Sequence, residues 1–229
     1  MNFYTNIVQW GNFLLLRETI NGERINRKIK YSPTLFSPVA KPTEWKTLDG
    51  KYVTPIKHET IKEAKEWVEQ YKEQPHLVYG NNQFQYNYLA DQYPNGVNWD
   101  IDNILIVTID IEVACENGFP NPDIADEELL SITLKNHQNK EIVVFGLRDY
   151  KTNRKDVTYF KCENEKDLLY DFINFWRSNF PDIITGWNTE FFDIPYLINR
   201  IKNVLGEDDA KRLSPWGDVY SKEVYQMGR

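Results

Sequence analysis

The stretch Ile104–Ala114, ILIVTIDIEVA, is the most apolar run in the chain, and it carries two carboxylates near its end. Alternate side chains of a β-strand share a face. One face of this run is therefore wholly apolar, whereas the other is apolar up to Thr108 and then presents Asp110 and Glu112. The pattern predicts a central strand that packs on one side and opens into a cleft at its end.

The two carboxylates have a spacing with chemical consequences. Residues i and i+2 of a strand lie roughly 6–7 Å apart, so Asp110 and Glu112 would repel each other unless they share a proton or bind a cation. Oxygen ligands without a nearby His or Cys favour a hard ion, Mg²⁺ or Mn²⁺. A solvent-exposed pair without function is the alternative, and the spacing alone leaves both open.

A third carboxylate stands at a predicted strand–helix junction. The segment 188–193, NTEFFD, follows a short strand predicted to be buried at 183–187, and it precedes a helix predicted from about 194 to 205. Asp193 before an Ile-Pro pair is typical of a helix N-cap, and a cap at such a junction can also face a cleft. The Asn and the paired Phe of this segment suit binding of a nucleotide, although core packing is the alternative for the rings.

Composition limits the class of protein. The 229 residues are 41% hydrophobic and 27% charged, which fits one large or two small folded domains. Residues 1–100 hold 12 Lys and Arg against 11 Asp and Glu, and residues 101–229 hold 15 against 23. This balance argues against simple electrostatic coating of nucleic acid, but an acidic half can act on it where divalent metals supply positive charge.

Targeting and cysteine signals are weak. The two cysteines form neither a zinc spacing nor a disulfide framework. No apolar run reaches the length of a membrane span, and the first residues lack the layout of a signal peptide. We therefore expect a cytoplasmic location and no membrane partner.

The first hundred residues predict a small α+β module. Three strand-like runs are separated by glycine-containing turns at 11–12 and 21–22, and another hairpin is predicted at 49–50. Thr60 begins a capping box and hence a helix. The third strand is basic, which favours a charge-protected edge strand, with phosphate contact as the alternative.

The remaining residues predict a mixed α/β domain. A helix follows the N-cap Asn164 and stops at Pro181. The strands expected between the acidic strand and this helix lie at 130–134, 142–147 and 157–161, the first two as antiparallel neighbours of the acidic strand.

Together these motifs resemble those of family B DNA polymerases. Asp-Ile-Glu at 110–112 and Asn-x₃-Phe-Asp at 188–193 look like the first two exonuclease motifs of that family. TGWNTEFFDIPYLINRIKN and AKRLSP are similar to the T-even-like bacteriophage branch in particular, as are KYSPTLF and the Gly118-Phe119-Pro120 loop. The likeness covers essentially the whole chain.

The resemblance implies two domains and a reaction. Residues 1–100 would be an N-terminal α+β domain, and residues 101–229 a ribonuclease-H-like 3′–5′ proofreading exonuclease domain with a mixed sheet flanked by helices. Two divalent ions, Mg²⁺ or Mn²⁺, would act on the single-stranded 3′ end of DNA. The rest of a polymerase chain is the implied partner, and RNA binding by the N-terminal domain is left open.

The resemblance also implies roles for individual residues. Asp110 would bridge both metal ions, Glu112 would ligate the ion that activates water, and Asp193 would support the second ion through water. The substrate-binding residues implied in the same way are Asn188, Phe192 and Phe119.

The chain departs from the family pattern at the third exonuclease motif, Tyr-x₃-Asp. No acidic residue after Asp193 has a Tyr or His four positions before it, and the polymerase-palm signatures are absent. We therefore expect an N-terminal fragment of a DNA-directed DNA polymerase with a C-terminally incomplete exonuclease domain, weakly active or inactive alone. A non-catalytic nucleic-acid-binding module and a stand-alone exonuclease of the same fold are the alternatives.

Overall fold

The computed structural model describes residues 2–116 and 118–220. They form two compact units, which are divided between Asp100 and Ile101. No helix in these described ranges is both long enough and apolar enough to span a membrane.

The first unit begins with a three-stranded antiparallel meander, β1 (Asn2–Trp10), β2 (Phe13–Ile20) and β3 (Glu23–Lys30). The spatial order is β1-β2-β3. The Asn21-Gly22 turn has positive φ at both residues, 54° and 86°, as a tight two-residue hairpin turn requires. The predicted meander is confirmed, and the basic strand β3 lies at a sheet edge.

A second small sheet in this unit consists of β4 (Thr34–Pro38), β5 (Trp45–Lys46) and β6 (Tyr52–Lys57). Strands β5 and β6 pair antiparallel, which confirms the hairpin predicted at 49–50. Strand β4 was not predicted, because its prolines favour a loop. It forms through pairing with β6 and a bridge in which Phe36 and Tyr79 exchange two backbone hydrogen bonds of 2.8 Å.

The helices of this unit are α1 (Ile61–Gln70) and α2 (Phe84–Gln92). Helix α1 has the predicted start: the Glu63 N–H donates to the Thr60 hydroxyl at 3.1 Å, and the Glu63 carboxylate accepts from the Glu59 N–H at 2.8 Å. Helix α2 was not predicted, since its N-cap Gln83 makes no side-chain capping bond. It is held by three core side chains, Phe84, Tyr88 and Leu89.

The second unit contains a five-stranded mixed sheet, β7 (Ile106–Val113), β8 (Leu129–Asn136), β9 (Ile142–Gly146), β10 (Val157–Lys161) and β11 (Ile183–Thr185). The spatial order is β10-β9-β8-β7-β11. Strand β8 pairs antiparallel with both β7 and β9, while β10 runs parallel to β9 and β11 parallel to β7. The prediction that 142–147 is a neighbour of the acidic strand is wrong, because β8 lies between β9 and β7. The predicted strands and the interior position of β7 are confirmed.

Strand β11 differs from its prediction in burial. Ile183 is 45% exposed and Ile184 is 42% exposed. The prediction of a buried strand is wrong because β11 pairs only with β7 among the described residues and forms an edge of the sheet.

Helices α3 (Glu165–Ser178), α4 (Asp193–Val204) and α5 (Glu207–Lys211) complete the unit. Helix α3 begins as predicted, with the Asp167 N–H donating to the Asn164 side chain at 3.0 Å. Both long helices pack on the sheet face that carries Ile109 and Ile111. The mixed α/β class is confirmed, and the opposite sheet face carries the polar side of β7.

Candidate active site

Strand β7 separates its apolar and acidic residues onto two faces. Val107, Ile109 and Ile111 are buried in the core under α3 and α4. Asp110 and Glu112, which alternate with them, are exposed. The predicted two-faced strand is confirmed.

A β-bulge lies beside the second carboxylate. Glu112 stands opposite Ser131 and Val113 opposite Leu129, so Leu130 is an extra residue in β8. A bulge bends its strand and redirects side chains, and bulges are frequent beside active sites. This irregularity ends the regular pairing of β7 directly after Glu112.

Asp193 reaches the same end of β7 through a backbone contact. Its carboxylate accepts a hydrogen bond from the Ile111 N–H at 3.2 Å, and the residue is 4% exposed. The N-cap interpretation of Asp193 is wrong, because α4 has Phe192 as its N-cap and the Asp193 side chain bonds to β7 instead. Since Ile111 lies between Asp110 and Glu112 in the strand, the Asp193 carboxylate lies beside the backbone that carries both.

The electrostatics of this group favour a cation. Burial raises the pKa of the Asp193 carboxyl, and the charge of Asp110 raises that pKa further, while the Ile111 hydrogen bond opposes both. Carboxylate oxygens are the ligands that Mg²⁺ and Mn²⁺ prefer. The donor chemistry of the exposed Asp110 and Glu112 carboxylates therefore suits a hard divalent ion. Across the described residues, however, no three His, Cys, Asp or Glu side chains converge closely enough to hold a metal ion.

Replacing Asp193 by asparagine should stabilise the metal-free chain at neutral pH. A carboxyl whose pKa is raised on folding favours the folded state below its unfolded pKa, and this contribution is lost as the pH rises through the folded pKa. Asparagine keeps an oxygen for the Ile111 N–H without the charge. We expect the Tm in EDTA at pH 7.5 to rise by about 2–4 °C, equivalent to about 1 kcal/mol, and to change much less at pH 4. A Tm that falls equally at both pH values would contradict this account.

A close backbone approach fixes the turn after β11. A Cβ atom at Gly186 would lie 2.6 Å from the Ile109 carbonyl oxygen and would overlap the Thr189 hydroxyl. Only glycine fits there without a shift of backbone, because Cβ contacts below 3.0 Å do not occur in relaxed structures. This approach holds the segment before Asp193 against β7.

Gly186→Ala should therefore destabilise the second unit. Overpacking of a closely packed site costs about 1–3 kcal/mol, and chemical denaturation should report a loss in that range. Thr189→Ala is the matched comparison, since the Thr189 hydroxyl is buried and has no hydrogen-bond partner in residues 2–116 and 118–220. Removing that hydroxyl should leave stability unchanged or higher. Equal stability of Gly186→Ala and the wild type would contradict the close approach.

The turn that carries Asn188 presents aromatic side chains to solvent. Asn188 has φ 58°, and its carbonyl accepts from the Phe191 N–H at 3.0 Å and the Phe192 N–H at 2.9 Å. Trp187 is 91% exposed and Phe191 is 72% exposed. Exposed aromatic rings are typical of surfaces on which bases stack.

Phe119 meets Phe192 although 73 positions separate them in the chain. Their ring centroids are 5.2 Å apart, and Phe119 is 83% exposed. Phe192 also contacts Tyr196, at 5.6 Å between centroids. The structure thus brings together two of the aromatic residues singled out in the sequence, at the N-terminal end of α4.

Side chains of helix α4 bind the backbone of the loop between β7 and β8. One polar face of the helix donates hydrogen bonds to loop carbonyls, so the loop is fixed independently of its own side chains. The bonds run from Tyr196 to Glu127 at 2.6 Å, from Asn199 to Pro122 at 2.9 Å, from Arg200 to Asp126 at 2.7 Å, and from Asn203 to Ile124 at 2.8 Å. We call these four side chains the α4 latch.

A largely buried ion pair anchors the α4 latch. Arg200 binds Glu165 through two hydrogen bonds of 2.7 Å, and Glu165 also accepts from the Leu129 N–H at 2.7 Å. Glu165 is 8% exposed. The pair therefore joins α3, α4 and the start of β8. Sequence reasoning missed it, because single Glu and Arg residues 35 positions apart carry no local signal.

Comparison with known proteins agrees with this geometry. Residues 54–228 match the family described as DNA polymerase family B, exonuclease domain. The chain belongs to this family. The predicted resemblance is confirmed, and the acidic end of β7 lies within the matched residues.

Individual family B relatives differ in how much of the chain they match. The DNA-directed DNA polymerases of Enterobacteria phage T4 and Escherichia phage RB69 are 32% and 31% identical over 98% of this chain. The DNA polymerase delta catalytic subunit of Candida albicans is 30% identical over 54% of it. The chain spans 28% of the length of the two phage relatives.

Proposed function

We propose that this chain carries the 3′–5′ proofreading exonuclease of a DNA-directed DNA polymerase, which hydrolyses the 3′-terminal phosphodiester of DNA. The observation that carries the proposal is the exposed Asp110–Glu112 pair beside the buried Asp193 at the end of β7. Membership of the family B exonuclease family supports it. Polymerase activity of the whole protein, on DNA, is part of the same proposal.

Asp110 and Glu112 would hold divalent ions, Mg²⁺ or Mn²⁺, two in a complete site. Bound ions of this kind lower the pKa of water and neutralise charge that develops on a phosphate. Asp193 would add negative charge next to Asp110. The hydrogen bond from the Ile111 N–H would hold the Asp193 carboxylate in place. The reaction would split the terminal P–O3′ bond with water and release a nucleoside 5′-monophosphate.

The aromatic residues would bind the DNA end. Phe119 and Phe192 present adjoining rings close to Asp193, and Asn188 lies in the same turn as Phe192. Stacking of one base on an aromatic ring contributes about 1–3 kcal/mol and tolerates any base, which suits proofreading of every sequence. Because no Tyr-x₃-Asp follows Asp193 in residues 194–229, we propose that hydrolysis by this chain alone is weak or absent.

Digestion of a 5′-labelled single-stranded oligonucleotide in Mn²⁺ tests the proposal. We expect slow stepwise shortening from the 3′ end, lost in Glu112→Gln and retained in Asp171→Asn, which removes an exposed charge on α3. Endonucleolytic products, or shortening that Glu112→Gln leaves unchanged, would refute the assignment. If the wild type shows no shortening, Mn²⁺-dependent binding of the 3′ end that requires Glu112 is the remaining test.

A non-catalytic nucleic-acid module, or an RNA-binding role of the first unit, is the rival proposal. The basic strand β3 favours it, but Arg27 pairs with Glu18 and Lys28 lies 4.3 Å from the centre of the Trp10 ring. Metal-independent binding of RNA or DNA that is lost in Arg24→Gln/Lys30→Gln would favour the rival.

A further inference from the structure

A second feature of the carboxylate face is an open groove of about 550 Å³. It begins at Glu112 and crosses β8, β9 and β10 on the sheet face opposite α3 and α4. Ser131 and Thr133 line it next to Glu112, and its far side is lined by Arg148, Asp149, Tyr150, Arg154 and Tyr159.

The register of the sheet defines the course of the groove. Glu112 stands opposite Ser131, Ser131 opposite Gly146, and Gly146 opposite Lys161. Paired residues of adjacent strands share a face, and strands lie about 4.8 Å apart. The row therefore leads from the acidic end of β7 to a lysine roughly 14 Å away.

The loop after β9 forms the far side of the groove. The Tyr159 hydroxyl donates to the Arg148 carbonyl, and a Cβ at Gly146 would overlap that hydroxyl. The Tyr150 ring lies 5.3 Å from the Tyr159 ring, and Tyr150 is 52% exposed. The loop backbone is thus held while an aromatic face stays open.

The charge of this loop is opposite to that of the unit. Residues 148–161 contain five Lys and Arg against two Asp, although residues 101–229 are net acidic. The two acids are already paired, Asp149 with Lys161 and Asp156 with Arg154. In this loop, the exposed cations for which the described residues provide no ion pair are Arg148, Lys151 and Lys155.

We propose that this groove, which we call the β10 track, binds the single strand of DNA whose 3′ end lies at Asp110 and Glu112. Arg148 in the groove and Lys151, the exposed residue that follows Tyr150 at its rim, contact its phosphates, and Tyr150 stacks on a base. The unpaired cations of the loop favour a polyanionic ligand. The exposed Tyr150 ring beside them favours a polyanion that carries bases, since bases stack on aromatic rings. This inference rests on the proposed function, because it takes the carboxylates as the place of the 3′ end.

Binding of fluorescein-labelled (dT)₁₂ to the full chain in EDTA tests the β10 track without hydrolysis. Arg148→Gln/Lys151→Gln should weaken binding roughly 10-fold at low salt. It should also reduce the slope of log K against log salt by about 1.4, which corresponds to two phosphates of a single strand. Arg148→Lys should retain the slope. The matched control, Lys166→Gln/Arg177→Gln, removes two exposed charges from α3 and should change neither value.

Photocrosslinking of (5-iodo-dU)₁₂ gives a direct readout of position. We expect the crosslinked peptide to contain Tyr150, and Tyr150→Ala should remove that crosslink while binding weakens. Crosslinks confined to Phe119 and Trp187, or equal loss of affinity in both double variants, would overturn the β10 track. Equally tight binding of poly-glutamate to the same loop would overturn it in favour of an acidic protein partner.

Two variants distinguish the β10 track from the exonuclease site, because one should lose hydrolysis and the other DNA binding. Glu112→Gln should abolish hydrolysis and leave binding in EDTA intact, whereas Arg148→Gln/Lys151→Gln should weaken binding and leave Mn²⁺ binding intact. If the chain binds Mn²⁺ at the carboxylates but the double variant binds DNA like the wild type, only the β10 track is refuted.

Discussion

Asp110→Ala is expected to reduce the affinity for Mn²⁺ by more than about 100-fold. Loss of a residue that only hydrogen-bonds to a metal ligand reduces affinity by about 10- to 100-fold. The reason is geometric: Asp110 is exposed on the open face of β7, and its charge acts on the buried Asp193 carboxyl. Without Asp110, Glu112 is the one exposed carboxylate left on the strand. Mn²⁺ titration followed by electron paramagnetic resonance measures this loss directly.

The control for Asp110→Ala is Asp171→Ala, which removes an exposed carboxylate from the helical side of the same unit. It should bind Mn²⁺ like the wild type. Because the Asp110 side chain is exposed, its removal should leave the Tm almost unchanged. Mn²⁺ affinity that survives in Asp110→Ala would mean that the ion binds elsewhere.

Arg200→Ala is expected to cost about 3–5 kcal/mol of unfolding free energy. Removing one partner of a largely buried pair leaves the other charge without compensation, and Glu165 is 8% exposed. The variant also removes the donor to the Ala125 and Asp126 carbonyls. Urea denaturation of the full chain measures the loss.

The exposed pair Lys211–Asp208 provides the comparison for Arg200→Ala. Its Nζ–Oδ1 distance is 2.9 Å, similar to that of the buried pair, but Asp208 is fully solvent-accessible. Lys211→Ala should leave the free energy of unfolding almost unchanged, because solvent screens an exposed ion pair. Adding Glu165→Gln to Arg200→Ala should recover part of the loss, since the amide oxygen can still accept from the Leu129 N–H. If Arg200→Ala and Lys211→Ala lower the free energy of unfolding equally, the ion pair does not hold the α4 latch.

Local patterns in the sequence account for much of the fold. Period-two alternation places Asp110 and Glu112 on the open face of β7, and the caps at Thr60 and Asn164 place the starts of α1 and α3. These features depend on residues close in the chain, so their physics is visible in a short window. The exonuclease motifs then identify the family from residue types at fixed spacing.

The remaining features depend on distant partners. Asp193 resembles a helix cap until the Ile111 N–H, 82 positions away, is known to be its partner. The α4 latch binds carbonyls, which every residue has, and so its target cannot be deduced from the loop sequence. Similarly, β11 is apolar enough for a core strand, but its position at a sheet edge leaves it exposed.

The proposed function requires that the carboxylates at the end of β7 hold divalent metal. Anomalous diffraction from crystals of the full chain soaked in Mn²⁺ would locate such an ion. We predict a Mn²⁺ peak within bonding distance of oxygens of Asp110 and Glu112, about 2.0–2.6 Å for hard divalent ions. Well-defined side chains at this place without an anomalous peak, or a peak only at another acidic cluster, would contradict it.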